Sequence, residues 1–381
     1  MRVYLDNSAT TQVDKKAAKA MQDAMLKHYG NPGSMHYKGD EARELLDKAR
    51  ATVAKEINAK PEEIIFTSCG TESNNLAIKG ILASTDKKHV ITSRIEHPSV
   101  LETCRSLERQ GYCVTYLPVD KEGFVTAKQV EQAITPETAL VTIMHANNEI
   151  GTIQPIDEIA KTCAAKGVLF HTDAVQSFKK VPIDLTRTPV SALSISSHKI
   201  HGPKGVGALF LRKGIQIKPL IHGGGQERNK RSGTENVPGI AGFAEAIKLG
   251  YDSKKVEQLR DYLVKKVLKE ISHTLYNGPK DNSKRLCNNA SISFNYIEGE
   301  GLLLHMSMEG ICVSTGSACA ARDLKISYVL KEIGLEPGIA HGTLRFSLSS
   351  KNTKQEIDYT VKKLKATVAT LRKMSPLGGK K

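Results

Sequence analysis

The chain has 381 residues, 40% of them apolar and 25% charged, with 55 Lys and Arg against 40 Asp and Glu for a formal charge of +15. This is a globular composition and excludes a disordered chain, while the lack of any apolar run of 18 or more residues excludes a membrane span, so a cytoplasmic protein without a membrane partner is expected. The positive excess is spread along the chain and aromatics are only 5%, which leaves few stacking platforms, and direct nucleic-acid binding is not expected.

From about residue 60 to 215, short apolar runs alternate with helical patterns. EIIFT, HVITS, ALVTIMHA, GVLFHTDA, ALSISSH and VGALFLR read as buried strands, being short, β-branched and apolar nearly throughout. Between them Pro155 to Lys166 reads as a helix, with Ile156, Ile159, Ala160, Cys163 and Ala164 on one stripe behind a Pro in its first turn. Alternation of this kind predicts an α/β fold, a mostly parallel sheet flanked by helices, with ligands at the carboxyl ends of its strands.

After about residue 250 the pattern changes. Val256, Leu259, Leu263 and Val267 mark a helix, ASISFNY and TLRFSLS read as alternating strands, and a capping box at Thr353 and Glu356 opens a last helix through Ile357, Val361, Leu364, Val368 and Leu371. This predicts a smaller α+β domain. The expected division is a large domain over 14–253 and a small domain made of 1–13 and 254–381, with a frayed tail at SPLGGKK.

Cysteines 69, 104, 113, 163, 287, 312 and 319 are odd in number and form no C-x-x-C pair, so neither a disulfide framework nor a metal site is expected. Cys104, Cys163 and Cys312 stand in apolar sequence and read as buried small hydrophobes. Cys319 stands among Ser, Thr, Gly and Ala instead, a composition that fits a mobile exposed loop.

Three segments carry chemistry. In FTSCGTESNN a strand runs through Ser68, Cys69, Gly70 and Thr71 straight into a helix, where free amides form either an anion site or an ordinary Ser/Thr-capped turn. Asp173 ends a buried strand, a costly place for a carboxylate unless a cation or several donors face it. Ser196, His198 and Lys199 end another strand before a Gly-Pro turn. A phosphate at the helix start, a pyridinium facing Asp173 and an aldehyde on Lys199 together point to pyridoxal 5′-phosphate held as a Schiff base.

The ordered set YLDNSATT, YGNPGSMH, FTSCGTESNN, EHPS, NNEIGTIQPI, FHTDAVQS, SSHKIHGPKG, HGGGQE, RSGTEN, STGSAC and LRFSLS covers essentially the whole chain. It resembles the cysteine desulfurases of the NifS/IscS type, in the class V branch of the aspartate-aminotransferase-like fold (fold type I). The resemblance implies a homodimer that uses pyridoxal 5′-phosphate to convert L-cysteine to L-alanine. The sulfur passes through an enzyme persulfide to an iron-sulfur scaffold or a sulfur-relay acceptor. It also implies residue roles: Lys199 carries the cofactor, Asp173 faces its ring nitrogen, Gln176 and Asn148 face the ring, and His97 stacks on it. Gly70, Thr71, Ser196 and His198 match phosphate-binding positions, and Thr234 matches one that reaches the phosphate of a neighbouring subunit. Cys319 matches the sulfur acceptor of the longer-loop subgroup, and Arg345 the clamp on the substrate carboxylate. Cys69 departs from the small residue usual at its position and is taken as packing.

Overall fold

The computed structural model describes residues 1–315 and 326–375. Its strands are β1 (Val3–Tyr4), β2 (Ile64–Thr67), β3 (His89–Ser93), β4 (Cys113–Leu117), β5 (Thr138–Thr142), β6 (Leu169–Asp173), β7 (Ala192–Ser196), β8 (Gly207–Leu211), β9 (Thr274–Tyr276), β10 (Asn289–Phe294), β11 (Ile311–Cys312) and β12 (Thr343–Ser347). Seven of them form one sheet in the order β2-β8-β7-β6-β5-β3-β4. Only β8 runs antiparallel to its neighbours, and every other pair is parallel. Strands β3, β5, β7 and β8 are buried along their whole length, as parallel sheets covered on both faces require.

Strand β4 escapes the sequence reading because it lies at the edge. It starts at an exposed Cys113 and only Leu117 is fully buried, so its sequence lacks the continuous apolar run of its neighbours. The predicted helix after residue 155 runs from Ile156 to Ala165, and Pro155 is its N-cap, one position outside the first turn. Ile156, Ile159, Ala160 and Cys163 are buried as expected, but Ala164 faces solvent, one step round from the stripe.

One apolar cluster packs helices such as Tyr37–Glu56 and Val237–Lys248 against the large sheet, and another covers its opposite face with the helices Gly70–Leu82 and Pro98–Glu108. A separate core joins Val3 and Leu5 to the helices Ser253–Glu270 and Lys354–Met374 and to the antiparallel sheet β12-β10-β9. The last helix opens with the predicted Thr353–Glu356 capping box.

Two expectations fail in this second unit. Strands β10 and β12 do not alternate between core and water: both are buried throughout. Their polar positions form a second interior layer, where Asn277 donates to Ser291 Oγ (3.2 Å) and Ser293 Oγ (2.9 Å), and Ser293 meets Thr343 Oγ1 at 2.6 Å. Buried hydroxyls are tolerated when they satisfy one another. Cys312, expected in the core, is exposed. It ends β11, a two-residue strand whose first residue, Ile311, takes the buried face.

The HGGGQE segment has a structural role at its last residue. Glu227 accepts both guanidinium arms of Arg50 (2.7 and 2.8 Å) and the amide of Phe66 (3.0 Å), and both side chains are buried. This couples the segment to β2. Breaking a buried pair leaves an uncompensated charge, so Glu227→Gln is expected to lower unfolding free energy by about 3–5 kcal/mol. Urea denaturation reads this directly; a loss below about 1 kcal/mol, as found for exposed pairs, would refute it.

Candidate active site

The carboxyl ends of β6 and β7 meet the starts of the helices Gly70–Leu82 and Pro98–Glu108 around a cavity of about 180 Å3. This is where open α/β sheets place ligands. The cavity gathers residues scattered over 130 positions of sequence: Gly70, Thr71, His97, Asn148, Asp173, Gln176, Ser196, His198 and Lys199 all line it.

Asp173 is the buried carboxylate at the tip of β6. Its Oδ1 accepts the Val175 amide at 2.9 Å and its Oδ2 accepts Asn74 Nδ2 at 2.7 Å. Asn74 also donates to Ser99 Oγ at 2.8 Å, and Ser99 Oγ in turn meets His97 Nδ1 at 2.8 Å. One chain of hydrogen bonds therefore ties Asp173 to His97. Because His97 Nδ1 also accepts the Ser99 amide (3.1 Å), the proton of the neutral ring sits on Nε2. Burial holds His97 below the ordinary histidine range, with the Asp173 charge opposing and the Lys199 charge adding.

Lys199 ends a short 3-10 turn, Ser197–Lys199, that follows β7. Its Nζ donates to the carbonyls of Ser8 (2.6 Å) and Ala9 (2.8 Å). Burial pushes its pKa down to about 7, and the positive charges of Arg345 and Lys180 add to that, against Asp6 and Asp173. An amine titrating there is available as a base near neutral pH, which an exposed lysine is not. His198 is pushed down to about 3, by burial first and then by Lys199, so it is a neutral ring; its Nδ1 lies 3.1 Å from Thr10 Oγ1.

The helix start at Gly70 leaves its first amides without intrahelical partners. Its N-cap is Cys69, whose Sγ accepts the Glu72 amide at 3.5 Å. Cys69 is thus a cap on the cavity wall, not core packing, because the turn needs an acceptor there and the thiol supplies it. A Cβ at Gly70 would stand 2.6 Å from Val175 Cγ2, so only glycine lets the helix start approach this closely.

Arg345 lies on β12, buried, beside the cavity rather than on its lining. It donates to Asp6 Oδ1 (3.0 Å) and to the carbonyl of Asn148 (3.1 Å), and its Nε is enclosed without a partner. Thr234 is exposed and apart from the cavity lining. Cys319 lies outside the described residues, as does the SPLGGKK tail beyond Ser375.

Sequence reasoning missed Asn74 and the Ser8 and Ala9 carbonyls. Asn74 carried a readable signal, since it stands one helical turn after Gly70 and so on the same face. The carbonyl partners of Lys199 carried none, because they are main-chain atoms 190 and 191 positions away.

The cavity holds three polar atoms that are enclosed and unpartnered: Ser196 Oγ, Gln176 Oε1 and Asn74 Oδ1. Buried polar atoms in such number signal a ligand that completes them. With the free amides of a helix start, a buried carboxylate and a depressed lysine, they suit a flat heterocycle bearing a phosphate and a carbonyl carbon.

The sequence profile of the aminotransferase class-V family matches residues 3–360. The cysteine desulfurase IscS of Dictyoglomus turgidum is 49% identical over 381 residues, spanning 98% of this chain and 96% of that protein. Cysteine desulfurase 2 of Trichormus variabilis is 45% identical, covering 98% of this chain and 95% of its own length. Among solved structures, a NifS-like protein superposes with a TM-score of 0.91 at 42% identity, over 97% of this chain and all of that one. The structure described as SspA in complex with cysteine gives 0.84 at 38%, over 92% of this chain and all of that one. No helix among the described residues is long and apolar enough to cross a membrane.

Proposed function

Since the chain belongs to the class V aminotransferase family and to its cysteine desulfurases, we propose that it converts L-cysteine to L-alanine while transferring the sulfur to Cys319 as a persulfide. The observation that carries this reading is the joining of Asp173, His97 and a depressed Lys199 around one cavity with unpartnered polar atoms.

The group these residues fit is pyridoxal 5′-phosphate, which when bound supplies an electron sink that makes a substrate Cα–H acidic. The Gly70 and Thr71 amides, Ser196 Oγ and His198 would hold its phosphate, completed by Thr234 of a second copy in a homodimer. Asp173 would keep the ring nitrogen charged, with Asn74 and the Val175 amide fixing the carboxylate. Gln176 and Asn148 would face the ring edge, and His97 its face, oriented by Ser99. Lys199 would carry the cofactor covalently.

Arg345 binds the substrate carboxylate by its two-pronged guanidinium, for which the unpartnered Nε and the arm now on Asp6 are available. Lys199 Nζ, released when the substrate amine takes its place and neutral near pH 7, would then take the Cα proton. The Cys319 thiolate attacks the substrate sulfur; the S–S bond forms as the C–S bond breaks. Protonation of the remaining carbon, with His97 and Lys199 as the nearby proton carriers, completes L-alanine. The net change is cysteine plus thiol to alanine plus persulfide, which balances without an external oxidant. Sulfane sulfur then leaves to an iron-sulfur scaffold or a thiolation acceptor.

Mass spectrometry after treatment with L-cysteine tests the proposal. One added sulfur is expected on the peptide containing Cys319, with stoichiometric alanine. Cys319→Ala should abolish both the adduct and sulfide release in the absence of added thiol. Keto-acid formation without alanine would instead make the chain an aminotransferase.

A further inference from the structure

A second cavity, of about 560 Å3, lies between the N-terminal segment, the turn after Lys199 and the start of the last helix. Arg2, Asn7, His201, Lys204, Lys351 and Asn352 contribute to its wall, and it shares no lining residue with the Lys199 cavity. The two nonetheless abut one strip of chain. Ser8 and Ala9 turn their carbonyls to Lys199, while Asn7, Thr10, Thr11 and Gln12 line the second cavity.

This wall carries more positive than negative charge. Arg2 and Lys204 are exposed and have no carboxylate partner among the described residues, and Lys351 has only Asp14, at 3.3 Å. Glu356, the carboxylate on the lining, turns Oε2 to the helix start, where it accepts the Thr353 amide (2.8 Å) and Asn352 Nδ2 (3.3 Å). The positive end of the helix Lys354–Met374 adds to the field. Deeper in, Asn7 and Asn352 are buried amides fixed by main-chain contacts to Ser347 and Tyr4. His201 holds a left-handed backbone (φ 68°). Its Nδ1 donates to the Gln12 carbonyl at 3.0 Å, which leaves Nε2 enclosed and unpartnered. A non-glycine residue held in that conformation carries strain of a kind that collects at ligand sites.

We propose that this cavity binds a small molecule through a diphosphate group. Three cations from three separate parts of the chain outnumber the two carboxylates at the cavity, Glu356 on its lining and Asp14 beside Lys351, and the volume exceeds that of one phosphate. A guanidinium grips one phosphoryl by two parallel hydrogen bonds, and lysine ammoniums neutralise the next as point charges. At the inner end Asn7 Nδ2, which has a second N–H beyond its bond to the Ser347 carbonyl, supplies a donor for a phosphoryl oxygen, and His201 Nε2, an acceptor while Nδ1 donates to Gln12, takes a hydroxyl hydrogen of the ligand. The diphosphate comes either as the inorganic ion or on a nucleoside, and the two sources are separated by their affinities.

Isothermal titration calorimetry on the enzyme saturated with pyridoxal phosphate, so that the phosphate positions of the first cavity are filled, decides the matter. Inorganic pyrophosphate and ADP are titrated separately into the parent and into an Arg2→Ala, Lys204→Ala double variant. Both positions are exposed and outside the catalytic cavity, so fold and basal turnover are retained. Each lost charge-assisted contact weakens binding by about tenfold or more, and raising the salt weakens it further. Equal affinity for the two probes assigns recognition to the diphosphate alone; tighter ADP assigns an added contact to the nucleoside. Absence of binding by both probes at millimolar concentration, or undiminished affinity in the double variant, overturns the proposal.

Discussion

Replacing Lys199 by alanine is expected to lower kcat by at least about 10³-fold, within the range for removing a positioned general base, while leaving the fold intact. The expectation rests on the environment of the amine. It is enclosed, held by two carbonyls, and pushed to a pKa of about 7 by burial and by Arg345. For a lysine the shift is downward, so the neutral, proton-accepting form prevails above about pH 7 and is lost below it. In the parent enzyme kcat should therefore rise through an acid limb centred near that value and level off on the alkaline side, as this parameter reports groups in the substrate complex. Thermal unfolding, run beside the kinetics, separates chemistry from folding. Retention of parental turnover by Lys199→Ala, or a flat profile from about pH 6 to pH 8, would remove the residue from the scheme.

Arg345→Ala is the second large effect. The guanidinium is buried on β12 with an enclosed, unpartnered Nε and one arm on Asp6. Removing it takes away a two-pronged contact with a carboxylate, and kcat/KM for cysteine should fall by about 10²-fold or more, chiefly through KM. Arg345→Lys should restore little, because an ammonium reproduces neither the planar fork nor its reach to Asp6 and the Asn148 carbonyl. Cysteamine, which lacks the carboxylate, provides the control. Its reaction, made without that contact from the start, should respond to the substitution far less than that of cysteine, and an equal response would show that Arg345 acts elsewhere.

The parallel sheet was legible because burial on both faces writes an almost uninterrupted apolar word for each central strand, and β4 was lost because an edge strand writes only half of one. Strands β10 and β12 misled for a related reason. Their serines and threonine look like solvent positions until Asn277 and Arg345 are seen to meet them or stand beside them in the interior. Cys69 was misjudged since a cap is a property of a turn, not of a residue type. At the site, each motif residue announced a chemical type, yet the hydrogen-bond relay from Asp173 through Asn74 and Ser99 to His97 joins three segments distant in sequence. Only spatial proximity reveals it.

The grip of Ser8 and Ala9 on Lys199 has a further consequence for biogenesis. The same strip is pinned at its other side by residues near the far end of the chain: Asn7 donates to the Ser347 carbonyl and the Ser8 amide donates to Ser347 Oγ, both at 2.8 Å. A nascent polypeptide still emerging from the ribosome has the lysine and its carbonyl partners but not the strand that holds them in register. Maturation of the reactive amine is thereby coupled to the completion of synthesis, and prematurely terminated products are left without an assembled centre.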